Sequence, residues 1–201
     1  MVSVRKEELR LDHKVIGDII EPGSMVLDLG CGDGDLLKYL VINKDVRGSG
    51  VEISEEAIYK CVEKGLSVSH GDIDSGLTEY PDKLFDYIIF NQTMQQVHKP
   101  KDAIQEALRI GRKVIIGFPN FCYVGSRFQI FFWGHVPITP SLPYEWYDTP
   151  NLHFLSIKDF KKFCSEQNFV IEKAFYLTQK RVIKLFPNLF ALNAIFQITK
   201  K

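Results

Sequence analysis

Three glycines and three aspartates crowd into the eight residues from Asp28 to Asp35, written Asp28-Leu29-Gly30-Cys31-Gly32-Asp33-Gly34-Asp35. Glycine adopts backbone angles that residues with a Cβ avoid, so Gly30, Gly32 and Gly34 spell a tight turn. The run before it, Met25 to Leu29, is apolar except for Asp28, the pattern of a buried strand. After it Leu36, Leu37, Leu40 and Val41 recur at helical spacing, so a helix opens near Asp33 or Asp35. Strand, glycine turn and helix together let a nucleotide-like ligand lie against backbone N–H groups.

Charge selects the ligand. A pyrophosphate site usually spaces its glycines G-x-G-x-x-G, whereas this turn reads G-x-G-x-G and carries Asp28, Asp33 and Asp35. Carboxylates that near would repel a pyrophosphate by several kcal/mol at roughly 4 Å in a low-dielectric cleft. They suit a ligand with an ammonium and a sulfonium, which describes S-adenosylmethionine, or S-adenosylhomocysteine after transfer. An NAD-linked dehydrogenase is disfavoured by the same spacing and by the lack of a second domain.

In open α/β sheets the ligand sits beyond the carboxyl ends of the strands, so residues just after each strand are the candidates. Gly30, Cys31 and Gly32 bring backbone to the methionine half, and Asp28 reaches its ammonium directly or through a water. Glu52, 22 residues beyond Gly30, ends the second strand and can accept both ribose hydroxyls, with Ile53 packing on the adenine. Asp72 can accept from the adenine amino group while the Ile73 N–H donates to a ring nitrogen; the ordinary alternative is that Asp72 caps a turn. Asn91, ending the fourth strand, either offers its carbonyl groups to the ammonium or is a structural polar group.

The elements that must position these residues follow from periodicity. Leu9 to Ile20 predicts a leading helix with Asp12 as N-cap, ended by Pro22-Gly23. Strands are expected at Val46 to Ile53, Val68 to Ile73, Phe85 to Gln92 and Val114 to Phe118, besides the first. Between them lie an amphipathic helix that stops at Gly65 and one opened by Pro100 with Ala103, Ile104, Ala107 and Leu108 as its core stripe. Strands alternating with helices imply a parallel, doubly wound sheet. The alternation then gives way, over residues 120–153, to an aromatic insertion. A helix from Ile157 to Gln167 and strand-like runs Phe169 to Thr178 and Leu189 to Thr199 close the chain.

A length of 201 residues fits a single domain, the insertion acting as a lid or a partner face. Charge is balanced, 25 basic against 25 acidic residues, which gives no pull toward nucleic acid or anionic lipid. Cys31, Cys61, Cys122 and Cys164 form no C-x-x-C pair, and the histidines show no metal-ligand spacing. The segment Val2 to Leu11 is charged, unlike a signal peptide, and Phe128 to Trp133 is far short of the roughly 20 residues of a bilayer span. A cytoplasmic protein is expected.

The stretch Val26 to Gly34 resembles the first motif of class I S-adenosylmethionine-dependent methyltransferases. Phe118-Pro119-Asn120-Phe121, with the run from Pro143-Tyr144-Glu145-Trp146-Tyr147-Asp148 through Thr149-Pro150-Asn151-Leu152-His153, resembles the MetW family of methionine-biosynthesis proteins. The likeness extends from Leu9-Arg10-Leu11-Asp12 to Pro187-Asn188-Leu189. It implies a Rossmann-like fold with a seven-stranded, mostly parallel sheet, an antiparallel C-terminal strand and an aromatic lid after the fifth strand. It also implies a partnership with a homoserine O-acyltransferase. The chain departs from the family where Cys122-Tyr123-Val124 replaces glycine, histidine and tryptophan, so no role is carried to those three positions.

Methyl transfer is an in-line displacement at a carbon already activated by a positive sulfur, and it needs chiefly an aimed acceptor and a dry site, with a base only where the acceptor loses a proton. No distinctive catalytic residue is present. The Asn/Asp-Pro-Pro-aromatic signature of amino-methyltransferases is missing, Asn91-Gln92-Thr93-Met94 standing in its place. Asn120, Asp148, Asn151 and His153 are the polar groups expected under the lid. His153 alone has a pKa suited to base work, though a loop histidine ordinarily serves as a hydrogen-bonding residue. Two readings follow: a binding module that reports methionine status to an acyltransferase, and a methyltransferase acting on a small molecule.

Overall fold

A computed structural model describes residues 9–201. Residues 1–8, part of the charged segment set against a signal peptide above, lie outside the described residues. The elements run α1 (Leu11–Ile19), β1 (Met25–Leu29), α2 (Asp35–Lys44), β2 (Arg47–Glu52), α3 (Glu55–Glu63), β3 (Ser67–His70), β4 (Phe85–Asn91), α4 (Pro100–Ile110) and β5 (Gly111–Pro119). Then follow α5 (Val124–Phe128), α6 (Ile157–Glu166), β6 (Phe169–Leu177), β7 (Val182–Ile183), α7 (Pro187–Phe190) and β8 (Asn193–Lys200).

The strands form one sheet in the order β3-β2-β1-β4-β5-β8-β6-β7. Strands β1 to β5 pair in parallel, and β8 lies antiparallel to both β5 and β6. Strand order reverses between β1 and β4, which opens a crevice at the carboxyl ends of those two strands. Both faces of the sheet are covered, as the apolar strands require. On one face Leu27, Ile88, Phe90, Val114 and Ile116 pack under Ala103, Ile104, Ala107 and Leu108 of α4. On the other Val26, Tyr87, Ile89 and Ile115 meet Val15, Ile16 and Ile19 of α1 and Leu36 and Leu40 of α2. Residues alternate between the two clusters along β1, β4, β5 and β8, the period of two that a pleated strand imposes.

Helix boundaries have local causes. Ser54 caps α3 by accepting from the Ala57 N–H, Pro100 opens α4, and Ser156 with Asp159 forms a reciprocal capping box on α6. Phe118, Phe160 and Phe196 close the core between β5, α6 and β8, with ring centroids 4.8–5.9 Å apart.

The structure differs from the sequence expectation in several places. The sheet has eight strands, not seven, because the two-residue β7 pairs antiparallel with the end of β6. Leu189 belongs to α7 and only Asn193 onward is strand, since Pro187 sets the first helical angle. Arg10, not Asp12, is the N-cap residue of α1, and Asp12 is turned inward and buried. Strand β3 ends at His70, so Asp72 and Ile73 lie in the turn beyond it. No helix among the described residues is long and apolar enough to cross a membrane.

Candidate functional site

The glycine turn has the predicted backbone: φ is +72° at Gly30, +55° at Gly32 and +80° at Gly34. The three glycines answer different demands. A Cβ on Gly30 would lie 2.3 Å from Thr93 Cγ2, whereas one on Gly32 would meet nothing within 4 Å. Gly30 thus lets the chain after β4 close over the turn, with Thr93 Oγ1 donating to the Gly30 carbonyl at 3.2 Å. Gly32 faces open space. Cys31 turns the other way, its Sγ filling the notch left by Gly50, and burial with the nearby Asp28 charge pushes its thiol far above the ordinary range. Only the backbone of Cys31 is available to a ligand.

The crevice beneath the turn measures about 150 Å³ and is lined by Asp28, Gly30, Cys31, Gly32, Asp33, Asp35 and Asn91, together with Arg10, His13 and Leu36. Asp28 is 2% exposed, its carboxyl opens onto the crevice, and burial and the Glu52 charge, with no hydrogen bond from the described residues, set its protonation. Burial, and secondarily the charge of Glu52, raise its pKa from 3.8 to about 7. A buried carboxyl without a donor favours its neutral form until a cation arrives.

The other two carboxylates of the turn are partly neutralised. Lys64, just past α3, donates to the Asp33 carbonyl at 2.7 Å, lies 3.8 Å from the Asp33 carboxylate and pairs with Asp35. Asp28 is therefore the carboxyl of the crevice that no cation among the described residues has already paired.

Glu52 is tied to the turn. Its Oε2 accepts from the Gly32 N–H at 2.8 Å and its Oε1 from the Ile53 and Ser54 N–H groups, both at 2.9 Å. Two carboxylate oxygens offer about four acceptor positions, so room remains for a hydroxyl. Beside it Ile53 is 60% exposed, an apolar platform at the strand tip. Asp72 does cap a turn, as its alternative reading held: Oδ1 accepts from the Asp74 N–H at 2.9 Å at the head of a 3-10 turn from Ile73 to Ser75. The side chain is exposed, and Ile73 packs against the core.

Asn91 lies in the crevice wall with its amide nitrogen committed. Nδ2 donates to Asp12 Oδ2 at 3.0 Å, and Oδ1 is buried without a partner. Asp12 also accepts from Arg10 Nε at 3.1 Å and Nη2 at 2.6 Å, and these bonds hold its carboxyl below the usual range despite burial. The amide thus links β4 to α1, and α1 brings Arg10 and His13 to the crevice. Burial lowers the His13 pKa, so its imidazole is neutral near pH 7. Neither Arg10 nor His13 was singled out from sequence. The only signal was the Leu9-Arg10-Leu11-Asp12 match, since their approach to the turn is a tertiary contact.

The insertion splits in two. Asn120 does not point into a pocket: its Nδ2 donates to the Asn188 and Ala191 carbonyls, which fastens the residue after β5 to α7 and its C-cap. His153 lies on a separate apolar groove with Phe154, Phe160 and Phe163, away from the crevice, while its N–H and that of Leu152 donate to the Gln95 carbonyl. Asp148 is exposed, and Asn151 lines a broad cavity described below. The aromatics do not build a core of their own. Phe131 is 81% exposed and Phe132, Trp133, Trp146 and Tyr147 are each above 60%.

The fold has close relatives among solved structures. A SAM-dependent methyltransferase from Thermotoga maritima superposes with a TM-score of 0.68 at 19% identity, covering 95% of this chain and 88% of that one. A SAM-dependent methyltransferase from Archaeoglobus fulgidus gives a TM-score of 0.65 at 16% identity, covering 94% of each chain. Among curated proteins, the bifunctional methionine biosynthesis protein MetXA/MetW of Rhodopirellula baltica is 36% identical over 174 residues, which is 82% of this chain and 28% of the fusion. This chain therefore spans little more than a quarter of that relative's length. The family model of methionine biosynthesis protein MetW matches residues 10–198. With the glycine turn, the crevice and the sheet order all in place, the chain belongs to the MetW family of methionine biosynthesis proteins.

Proposed function

We propose that this protein binds S-adenosylmethionine at the crevice between β1 and β4 and pairs, through its aromatic insertion, with a homoserine O-acyltransferase. The observation that carries the cofactor half is Asp28, a buried carboxyl without a donor at the base of an open glycine turn. The ligand's ammonium supplies the missing partner, and Arg10 at the same crevice takes its carboxylate. Glu52 accepts a ribose hydroxyl on its remaining acceptor position, Ile53 underlies the adenine, and Asp72 and the Ile73 N–H read its edge. Bound there, the cofactor supplies an activated methyl group; the chain's own residues hold its charged ends.

Two observations support the partner half. The Rhodopirellula baltica relative carries MetXA and MetW in one polypeptide. The insertion leaves Phe131, Phe132, Trp133, Trp146 and Tyr147 in solvent, and such aromatics dominate interface anchors. In this reading the chain reports the level of S-adenosylmethionine to the acyltransferase. Methyl transfer to a small acceptor is the second reading, favoured by a large cavity that shares Arg10 with the crevice.

Co-purification with the acyltransferase, followed by acyl-transfer assays with and without S-adenosylmethionine, tests the proposal. Stable pairing and cofactor-dependent acyl transfer are the expected results. Release of S-adenosylhomocysteine from a metabolite mixture, with the acyltransferase unaffected, transfers support to the second reading. Absence of cofactor binding both alone and in the complex defeats both.

A further inference from the structure

Beside the crevice lies a much larger cavity, about 970 Å³ against about 150 Å³, and Arg10 stands in the wall of both. We propose that this cavity binds a second small ligand, a polar organic acid that also carries a hydrogen-bond donor. The site goes beyond the cofactor reading, since its occupation requires no S-adenosylmethionine.

The sign of charge comes from the lining. Three basic residues, Arg10, Lys14 and Lys180, face one acid, Asp12. Asp12 is already consumed: both its oxygens accept from Arg10, and one accepts from Asn91 as well. Lys14 and Lys180 have no carboxylate partner among the described residues. An anion entering the cavity meets two uncommitted ammonium groups, arriving from α1 and from the loop after β6.

The demand for a donor comes from the glutamines after β4. Gln92 is held at φ +63°, a left-handed angle that a non-glycine residue adopts at a cost and that concentrates at ligand sites. This aims its carbonyl so that Gln95 Nε2 donates to it at 2.9 Å and Gln96 Nε2 at 3.3 Å. With both amide nitrogens turned to one oxygen, the amide oxygens are left as acceptors, and the Gln95 Oε1 is buried with no donor. A hydroxyl or amine on the ligand is the group this set lacks. Among the described residues the only aromatic in the wall is Tyr144, which by itself makes no two-sided stacking platform for a nucleobase.

Four probes separate the alternatives by ligand-observed NMR: L-malate, succinate as the same acid without the hydroxyl, inorganic phosphate and ethanolamine. Malate should bind the wild-type protein with millimolar affinity, about tenfold more tightly than succinate or phosphate. The double variant Lys14→Met, Lys180→Met should lose about tenfold in malate affinity, and Gln96→Leu should erase the preference over succinate. Both lysines and Gln96 are exposed, so folding is retained. Unchanged malate binding in the double variant, phosphate binding equal to malate, binding of ethanolamine alone, or no saturation by about 10 mM each overturns the proposal. Calorimetry of S-adenosylmethionine on the same proteins reads the crevice separately, so the two sites fail or hold independently.

Discussion

In the proposed cofactor site, burial and recognition meet in one side chain, Asp28. Its folded pKa, about 7, lies above the ordinary 3.8, so folding favours the protonated form. That stabilisation is complete below the unfolded value and is lost as pH rises through the folded one. A bound ammonium works the other way, because it selects the carboxylate. Affinity for S-adenosylmethionine should therefore rise between about pH 5 and 7, where the ligand's amine stays charged. Calorimetry across that range should show the rise in the wild type. Asp28→Asn should show weaker binding, by about 1.5–3 kcal/mol at neutral pH, and no slope. The glycines separate stability from binding in a second way. Gly30→Ala adds a methyl 2.3 Å from Thr93 and should lower stability by about 1–3 kcal/mol in denaturant unfolding. Gly32→Ala meets no atom within 4 Å and carries only the strain of its φ of +55°, about 1–2 kcal/mol, without the added clash of Gly30→Ala. It should lose cofactor affinity as well, because its methyl enters the space the ligand needs.

At the scale of elements, the insertion after β5 is where local and tertiary signals part. Its sequence reads as crowded aromatics, which can equally build a small core or stand in water. The structure sets them against one another, Phe128 tilted on Phe132 at 4.4 Å and Trp146 edge-on to Tyr147 at 5.6 Å, while leaving about half or more of each residue exposed. Phe131→Ser and Trp133→Ser should then change stability by no more than about 0.5 kcal/mol, since little burial is lost. The same variants should abolish co-purification with the acyltransferase, because large exposed aromatics contribute most of an interface's energy. Retained pairing would move the contact to another face. The short π-helical turn from Gln129 to Trp133 had no period that sequence could show, and five residues are too few to reveal one.

For the molecule as a whole, a cofactor held between β1 and β4 touches only the folded state and must stabilise it by mass action. At a concentration one hundred times its dissociation constant, S-adenosylmethionine adds about 2.7 kcal/mol, roughly 5–10 °C in melting temperature for a chain of this size. Scanning calorimetry with the cofactor and with adenosine alone checks this. A shift as large with adenosine as with the cofactor would show that Asp28 and Arg10 contribute nothing.

What the sequence determined by itself is everything that depends on neighbours along the chain. The glycine turn, the apolar strands on either side of it, the helix opened by Pro100 and the parallel alternation are local patterns of period and backbone freedom, and they stand in the structure where they were read. Tertiary structure decided whatever depends on residues far apart meeting. Asn91 bonds Asp12 across 79 positions, Lys64 neutralises Asp33 and Asp35, and Glu52 closes on Gly32. β8 lies between β5 and β6, where Ala194 and Phe196 reach one core cluster and Ile195 the other. Such contacts leave no spacing in the sequence, since the chain between the partners is free to vary while the folded distance is not.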